Sequence, residues 1–277
     1  MFSNPPDAPF TLVGGTVIDG TGVARFSGNV VVEGDRIVAV GPEVEPQWAT
    51  IDCTGRAVSP GFIDMHSHSD LVCMSDPQLA PKLRQGITTE VLGQDGLSEA
   101  PVAPEYIPMW RHLPWDWRSF GDYLEHCGGA ANNMVALVGH GPIRLHAVGM
   151  ENRAVTGAEL GRMCEVLDQA LSEGAIGFST GLIYSPCVYG DTEELIALGR
   201  VVARHGAFMV YHLRYEGKRV LDGMEEVFRI ARESSAACHI SHFKARGREA
   251  WGKAPEMVAA LERAREEGLD ITADQYP

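Results

Sequence analysis

Residues 156–179 read TGAELGRMCEVLDQALSEGAIGFS, and this stretch decides the fold. Thr156 and Glu159 match the capping box of a helix start, and Gly174 is typical of a helix end. Between them, apolar residues recur at helical spacing at Leu160, Met163, Leu167 and Ala170. The next residues, Ala175–Ser179, have the pattern of a short buried strand. A helix followed at once by a strand is the repeating unit of a parallel sheet covered by helices.

The same alternation extends over the chain from residue 58. A second helix is predicted to begin at Asp191, with Glu194 three residues later, and to end at Gly206. Seven strands are predicted, at Phe62–Met65, Thr88–Leu92, Met134–Val138, Ala175–Ser179, Ala207–His212, Ala237–Ser241 and Asp270–Asp274. The Pro- and Trp-rich stretch 101–118 interrupts the alternation, and we expect it to pass over the mouth of the fold.

This pattern predicts an α/β fold, a (β/α)8 TIM-like barrel over residues 58–277 that is incomplete, with about seven strands present. Residues 1–57 are instead rich in short β segments and carry a hairpin signal at Gly34-Asp35. We expect them to form the N-terminal part of a small β-sandwich domain. Because a closed barrel needs eight strands, we also expect the chain to stop before the eighth.

Composition narrows the classes of function. The net charge of -14 argues against a nucleic-acid partner, which requires clustered Lys and Arg, and favours a small-molecule substrate. No apolar run approaches the length of a membrane span, and the N-terminus lacks a signal-peptide pattern. The six cysteines form no CxxC pair, so we expect reduced thiols and a cytoplasmic protein of unknown oligomeric state.

A metal site is indicated where the first predicted barrel strand ends, in PGFIDMHSH at residues 60–68. In a strand, residues i and i+2 face the same side, so we expect His66 and His68 to converge on one ion. Neutral imidazole is a preferred zinc ligand, and two ions close together need an anionic bridge. Asp95, just past the second barrel strand, is the candidate for that anion; an ordinary turn aspartate is the alternative. Other histidines, at positions 140, 212 and 242, also follow strand ends.

Several stretches together resemble the amidohydrolase superfamily, and within it the D-aminoacylase (N-acyl-D-amino-acid deacylase) branch. They are GFIDMHSH at 61–68, TTEVLGQDG at 88–96, LVGHG at 137–141, STGLIY at 179–184, HLRYE at 212–216 and ISHFK at 240–244. The resemblance implies a metal-dependent hydrolase that cleaves N-acyl-D-amino acids to a carboxylate and a free D-amino acid.

The resemblance also implies roles for individual residues. His66 and His68 would ligate one metal position, His212 and His242 the other, with residue 95 between or beside them. Well-known members have cysteine there; Asp95 offers a harder oxygen, so one or two zinc ions are expected but Mn or Co becomes more acceptable. Lys244 and Tyr184 match substrate-facing positions and could bind the amino-acid carboxylate. A solvated lysine and a rim tyrosine are the plain alternatives.

Four further residues receive weaker predictions. Arg214 and Glu216 could form a structural ion pair, Asp64 could support the first ligand, and His140 is not assigned a role. The general acid/base of the superfamily is an aspartate on the eighth strand, expected beyond Pro277. We therefore expect the 277-residue chain to be a fragment of a larger deacylase that binds metal poorly and is inactive alone.

Two other functions stay open. A cyclic-amide hydrolase of the hydantoinase and dihydropyrimidinase type would need a carboxylated lysine on the fourth strand, but residues 174–181 contain no lysine. A non-catalytic barrel protein would have no physical reason to keep four converging imidazoles. A serine nucleophile at Ser67 is weaker still, because in a strand it points away from its histidine neighbours.

Overall fold

The computed structural model describes residues 8–102 and 116–276, and the chain divides into two compact units with a boundary between Phe62 and Ile63. The first unit contains one sheet of five strands, in the order β3-β2-β1-β4 with β5 beside β1. These strands are β1 (Phe10–Val17), β2 (Phe26–Glu33), β3 (Arg36–Gly41), β4 (Ala49–Asp52) and β5 (Ala57–Val58). The hairpin predicted at Gly34-Asp35 is confirmed, since Glu33 pairs with Arg36 across that turn. The β-sandwich stays a prediction.

The second unit is organised around a seven-stranded sheet in which neighbours in sequence are neighbours in space. Its strands are β6 (Phe62–Asp64), β7 (Ile87–Leu92), β8 (Asn133–Gly139), β9 (Gly177–Gly181), β10 (Phe208–His212), β11 (Ala237–Ile240) and β12 (Ile271–Ala273). From β7 to β12 every adjacent pair is parallel. The seven predicted barrel strands are therefore confirmed. Most of the stretch 101–118, predicted to cross the mouth, lies outside the described residues.

The seven-stranded sheet curls strongly. Laid flat, its outer strands β6 and β12 would lie roughly 29 Å apart, at about 4.8 Å per strand. Instead, Asp274 just past β12 brings its Oδ2 atom to 3.8 Å from Nδ1 of His66 just past β6. The carboxyl ends of the strands therefore form a ring, and the loops that follow them project into one shared space.

Helices cover the outside of this sheet. They are α1 (Val72–Ser75), α2 (Ala80–Leu83), α3 (Phe120–Cys127), α4 (His140–Ala147), α5 (Gly157–Ser172), α6 (Thr192–Arg204), α7 (Val220–Ser234) and α8 (Ala254–Glu266). The predicted capping box of α5 is present, with Thr156 and Glu159 bonded reciprocally, and Asp191 caps α6 as predicted. Within the described residues, no helix combines the length and apolar character that a bilayer crossing requires.

Two apolar cores follow from the alternation of side chains along each strand. On β7, Leu92 packs in the large core beneath the helices, whereas its neighbour Val91 points into the curl of the sheet. Leu137 and Val210 join Val91 in that small inner core. The inner core fills the floor of the ring and leaves the carboxyl ends of the strands free for polar residues.

Candidate metal centre

The five residues predicted to bind metal come together at the carboxyl end of the sheet. Their possible ligand atoms form two overlapping groups, in each of which all the atoms lie within 4.8 Å of one another. The first group is His66, His68 and Asp95, and the second is Asp95, His212 and His242. Asp95 belongs to both groups, so the arrangement has the composition of two adjacent three-ligand sites.

The carboxylate of Asp95 divides its two oxygens between the histidine pairs. Its Oδ2 lies 3.7 Å from Nε2 of His66 and 3.6 Å from Nε2 of His68. Its Oδ1 lies 3.5 Å from Nδ1 of His212 and 3.6 Å from Nε2 of His242. One carboxylate thus faces two separate sets of nitrogen ligands, which is the geometry of a bridging anion.

The spacing of these atoms fits divalent ions. Two ligands bound tetrahedrally at 2.0–2.2 Å lie about 3.4 Å apart, close to the separations from Asp95 to the four imidazoles. Three protein ligands at each position leave a fourth position open, as in catalytic rather than structural zinc sites. The buried Oδ1 of Asp95 makes no hydrogen bond within the described residues, so a cation would satisfy an otherwise isolated acceptor. The residues present therefore fit a metal centre.

Backbone geometry explains how Asp95 reaches this position. It has a left-handed conformation, with φ at 57° and ψ at 24°, which Asp tolerates better than most residues. The hydroxyl of Ser179 on β9 holds the turn, accepting from the N–H of Gly96 at 3.0 Å and donating to the carbonyl of Gly93. At Gly181 a Cβ would lie 2.2 Å from the carbonyl oxygen of Asp95, so the close approach of β9 requires glycine there.

The prediction that His66 and His68 lie on one face of a strand is wrong. Strand β6 ends at Asp64, and both histidines lie in the loop beyond it. Their rings converge because the loop itself is held: Ser67 between them hydrogen-bonds Glu90 on β7, and its backbone N–H donates to the carbonyl of Val91 at 3.2 Å. Ser67 does point away from its two neighbours, as expected. Tertiary contacts, rather than strand periodicity, thus set the geometry of the pair.

Asp64 supports the same loop. Its Oδ1 accepts from the backbone N–H of His66 at 3.1 Å, and its other oxygen pairs with Lys82. The ammonium of Lys82 also lies 3.2 Å from Glu90. The predicted supporting role of Asp64 therefore has a structural basis, through the backbone of the ligand rather than its ring.

Asp274 at the end of β12 is a site residue that sequence reasoning missed. One of its oxygens accepts from the backbone N–H of His242 at 2.5 Å, and the other lies 2.9 Å from Nε2 of His239. His242 has a φ of 38°, a conformation that costs energy in a non-glycine residue and that this bond helps to hold. Asp274 also approaches the ring of His66. Only the curl of the sheet brings it near both histidines.

Glu216 has a different role from the one predicted, because the predicted Arg214–Glu216 ion pair is wrong. Arg214 pairs with Glu226 at 3.0 Å and donates to two backbone carbonyls, which fixes it structurally. Glu216 turns to the metal ligands instead, with Oε1 at 3.1 Å from Nδ1 of His242 and Oε2 at 3.5 Å from Nε2 of His212. The i, i+4 spacing from His212 to Glu216 was the available signal.

The two predicted substrate-binding residues lie beside the second histidine pair. Lys244 forms an ion pair with Glu216, and its Nζ lies 2.9 Å from Nδ1 of His242. Tyr184 is partly exposed, with its ring centroid 5.1 Å from that of His212. Both side chains are therefore adjacent to the centre. Their role in binding substrate stays a prediction.

His140 belongs to a buried polar network rather than to the centre. Its ring bonds Thr180 on β9 at 2.9 Å and Glu194 on α6 at 2.7 Å, and Arg144 donates to the other oxygen of Glu194. Burial lowers the pKa of His140, but Cys187 and Glu194 raise it by more, to about 9. This network joins α4, β9 and α6, so its role is structural.

The carboxylates of the centre are ionised before any cation binds. Burial raises the pKa of Asp95, but contacts with four imidazoles lower it by more, to far below its usual range. Burial likewise opposes ionisation of Glu216, yet His242 and Lys244 bring its pKa down to about 2. Burial lowers the pKa of His66, whereas Asp274 and Asp95 raise it to about 9. A potential that favours a proton on His66 also favours a metal cation in its place.

Comparisons with known proteins agree with this geometry. The model of the Amidohydrolase family (Amidohydro_3) matches residues 49–276. The D-aminoacylase of Alcaligenes xylosoxydans xylosoxydans is 35% identical, over 99% of this chain and 59% of the relative. A solved N-acyl-D-glutamate deacylase from Bordetella bronchiseptica, complexed with zinc and a phosphonate mimic of the tetrahedral intermediate, superposes with a TM-score of 0.88. It is 36% identical, over 97% of this chain and 58% of that one.

A more distant neighbour shares the fold. The L-hydantoinase of Arthrobacter aurescens has a TM-score of 0.60 at 14% identity, over 96% of this chain and 57% of that one, and so shows the fold alone. Strand β9 contains no lysine, as expected from the sequence. The chain spans less than three-fifths of the length of each of these three proteins. It belongs to the amidohydrolase family, and the predicted resemblance to D-aminoacylases is confirmed.

Proposed function

We propose that the protein is a metal-dependent hydrolase that cleaves the amide bond of N-acyl-D-amino acids, releasing a carboxylate and a free D-amino acid. The observation that carries this proposal is the division of the Asp95 oxygens between two histidine pairs. The names of the D-aminoacylase and the N-acyl-D-glutamate deacylase support the choice of a linear amide as substrate.

The ligands proposed for the centre are His66, His68, Asp95, His212 and His242. A bound divalent ion would supply Lewis-acid polarisation of the amide carbonyl and a more acidic water molecule. We propose zinc, because imidazole and carboxylate suit it and the Bordetella relative was solved with it. The oxygen ligand at position 95 also suits Mn or Co, which is a testable departure from the cysteine-containing members.

The side chains around the ligands have distinct tasks in this proposal. Half of the His68 side chain is exposed, so the first metal position opens toward solvent and substrate. Glu216 and Asp274 orient the rings of the ligands, as carboxylates commonly do around metal-binding histidines. Tyr184 and Lys244 border the second position and would bind the carboxylate of the substrate.

The proton shuttle of the reaction needs a carboxylate with a free oxygen. Asp274 does not meet this need, because one oxygen accepts from His242 and the other contacts His239. The prediction of an acid/base aspartate beyond Pro277 is retained as part of the proposal. The predicted cytoplasmic location is also retained as part of the proposal. Testing the acid/base aspartate and testing the location both require the whole protein.

The test is hydrolysis of N-acetyl-D-methionine by the whole protein after metal removal and after reloading with zinc. We expect turnover only in the reloaded protein, little turnover of the L isomer or of a hydantoin, and loss of activity in a His66→Asn variant. Faster hydrolysis of the hydantoin would favour the cyclic-amide alternative. A protein that retains no transition metal in elemental analysis would favour the non-catalytic barrel.

A further inference from the structure

Two buried thiols face each other in the large core beneath the helices. Cys73 lies on α1 and Cys127 is the last residue of α3, and the two residues are 2% and 3% exposed. Their Sγ atoms are 3.8 Å apart, although 54 positions separate the two residues in the sequence. Within the ranges 8–102 and 116–276, this is the one pair of cysteines joined by a hydrogen bond. The fold thus creates a dithiol that the scattered cysteines of the sequence do not indicate.

The segments that carry the two thiols are also joined at other points. The hydroxyl of Tyr123 on α3 donates to Oδ1 of Asp70, three residues before Cys73, at 3.4 Å. The backbone N–H of Ala131, past the end of α3, donates to the carbonyl of Pro77, past the end of α1, at 2.8 Å. These hydrogen bonds keep the two sulfur atoms near contact while the fold is intact.

The gap between the sulfur atoms is small enough for a bond to form. A disulfide bond is about 2.05 Å long, so the two atoms need to approach each other by about 1.8 Å. Helix α1 can make this movement, because it has four residues and its N-cap residue, Leu71, makes no side-chain capping bond. Local opening of the same short helix admits a small oxidant to thiols that are buried in the closed state.

The surroundings give the two thiols different acidities. Hydrogen bonds from Cys73 and Tyr123 lower the pKa of Cys127, although burial opposes this effect. Cys73 is the donor in the thiol pair, and this bond together with burial raises the pKa of Cys73. Cys127 therefore forms a thiolate more readily, while Cys73 retains its proton beside it. A thiolate-forming cysteine next to a resolving cysteine is an arrangement common in redox-sensing proteins.

We propose that Cys73 and Cys127 are a modification site, at which hydrogen peroxide reversibly forms a disulfide bond between α1 and α3. The Cys127 thiolate attacks one oxygen of the peroxide and the O–O bond breaks. Cys127 becomes a sulfenic acid, and the departing hydroxide takes up the proton that Cys127 had lost, forming water. The sulfur of Cys73 then attacks the sulfenic sulfur, and its proton leaves with the hydroxide as a second water molecule. Two thiols are oxidised and one peroxide is reduced.

The disulfide bond restrains the segment that follows the proposed metal ligands His66 and His68. Helix α1 begins at Val72, four residues after His68, and the new bond joins it to α3 by closing a loop that spans 54 positions. Closing a loop of this length removes much of the conformational freedom of the opened state. Oxidation should therefore make the opening of α1 at least about tenfold rarer. This site does not depend on the hydrolysis proposed above, which uses neither thiol.

The experiment treats the whole protein with hydrogen peroxide, blocks the remaining thiols with iodoacetamide and maps the digested chain by mass spectrometry without reduction. We expect a cross-linked peptide pair that contains Cys73 and Cys127 and that dithiothreitol separates. Hydrogen exchange of the α1 amides should be at least about tenfold slower in the oxidised protein. Cys73→Ser should abolish both effects. The matched control is Cys238→Ser, which should keep both effects, because Cys238 is also 2% exposed but its sulfur contacts a backbone carbonyl and Tyr211.

Cys164 sets the dose of peroxide, because it is the one cysteine of the six that is only partly buried. If Cys164 is oxidised while Cys73 and Cys127 remain free thiols, the proposal is wrong. It is equally wrong if peroxide converts either residue to a sulfinic or sulfonic acid without joining the two. If Cys73→Ser does not fold, the peptide map of the wild type still decides, and Cys127→Ser provides the second variant.

Discussion

Glu90 offers a stringent test of how the loop that carries His66 and His68 is held. It lies on β7, is fully buried, and accepts from Ser67, from Ser69 at 2.8 Å and from Asn132 at 2.5 Å. Lys82 adds a cation at 3.2 Å. Burial raises the pKa of Glu90, but these hydrogen bonds and Lys82 lower it by more, so the buried group is an anion.

The cost of removing this anion follows from its partners. In Glu90→Leu, the hydroxyls of Ser67 and Ser69, 3.0 Å apart, can bond each other, which leaves about two buried donors without an acceptor. At about 1–3 kcal/mol for each, plus the lost charged bonds, we expect about 4–6 kcal/mol of destabilisation. Glu90→Gln keeps the shape and one acceptor, so about 2–3 kcal/mol is expected.

Thermal unfolding and zinc titration provide the assays. For a domain of this size, 2–3 kcal/mol corresponds to a fall in Tm of about 4–12 °C. In Glu90→Leu, the zinc affinity of the position formed by His66 and His68 should fall about tenfold, while the affinity of the position formed by His212 and His242 changes little. Glu125→Gln, on the exposed face of α3, should change stability by less than about 0.5 kcal/mol. If Glu90→Leu has the same Tm and the same zinc affinities as the wild type, the anchoring role assigned to Glu90 is wrong.

Three further substitutions probe other parts of the structure. The folded pKa of His140, about 9, exceeds its unfolded value of 6.5, so the contacts with Cys187 and Glu194 that raise it should stabilise the fold fully below pH 6.5 and progressively less as the pH rises to 9. Urea titrations of His140→Gln should show a flatter pH dependence of stability, and an unchanged slope would refute this. Gly181→Ala should displace Asp95 and weaken zinc binding at least about tenfold. The control is Gly161→Ala on α5, which should be neutral or stabilising because a Cβ there meets nothing within 4 Å. Equal zinc binding by the two variants would be inconsistent with the packing at Gly181. Asp95→Cys should raise the preference for zinc over manganese in competition titrations, since thiolate is the softer ligand; an unaltered ratio would argue that residue 95 does not touch the ion.

Much of the fold could be predicted because local patterns and global structure agree. The capping residues Thr156 and Asp191 and the glycine at 174 mark helix boundaries through contacts within a few residues. Strand order also follows from sequence order, since each parallel crossover places the next strand beside the last. The curl of the sheet could be expected only from the barrel architecture as a whole.

The site was predicted less completely, for reasons that are physical. Ligand types and strand ends pointed to the five residues that converge, but two of the supporting carboxylates, Asp274 and Glu90, act over long separations in sequence. Asp274 contacts His66 across the ring of strands, and Glu90 holds Ser67, which lies 23 residues earlier in the chain. Periodicity carries no information about such contacts. It was also misleading for His66 and His68, whose loop geometry comes from tertiary bonds.

The central claim is that the carboxylate of Asp95 is shared by two metal positions. Calorimetric titration of metal-free whole protein with zinc, beside an Asp95→Asn variant of the same shape, tests it most directly. We predict two binding events in the wild type and weakening of both by at least about tenfold in the variant, because an amide supplies no bridging anion. Zinc affinities that are the same in the two proteins, or the absence of zinc binding by the wild type, would contradict the claim.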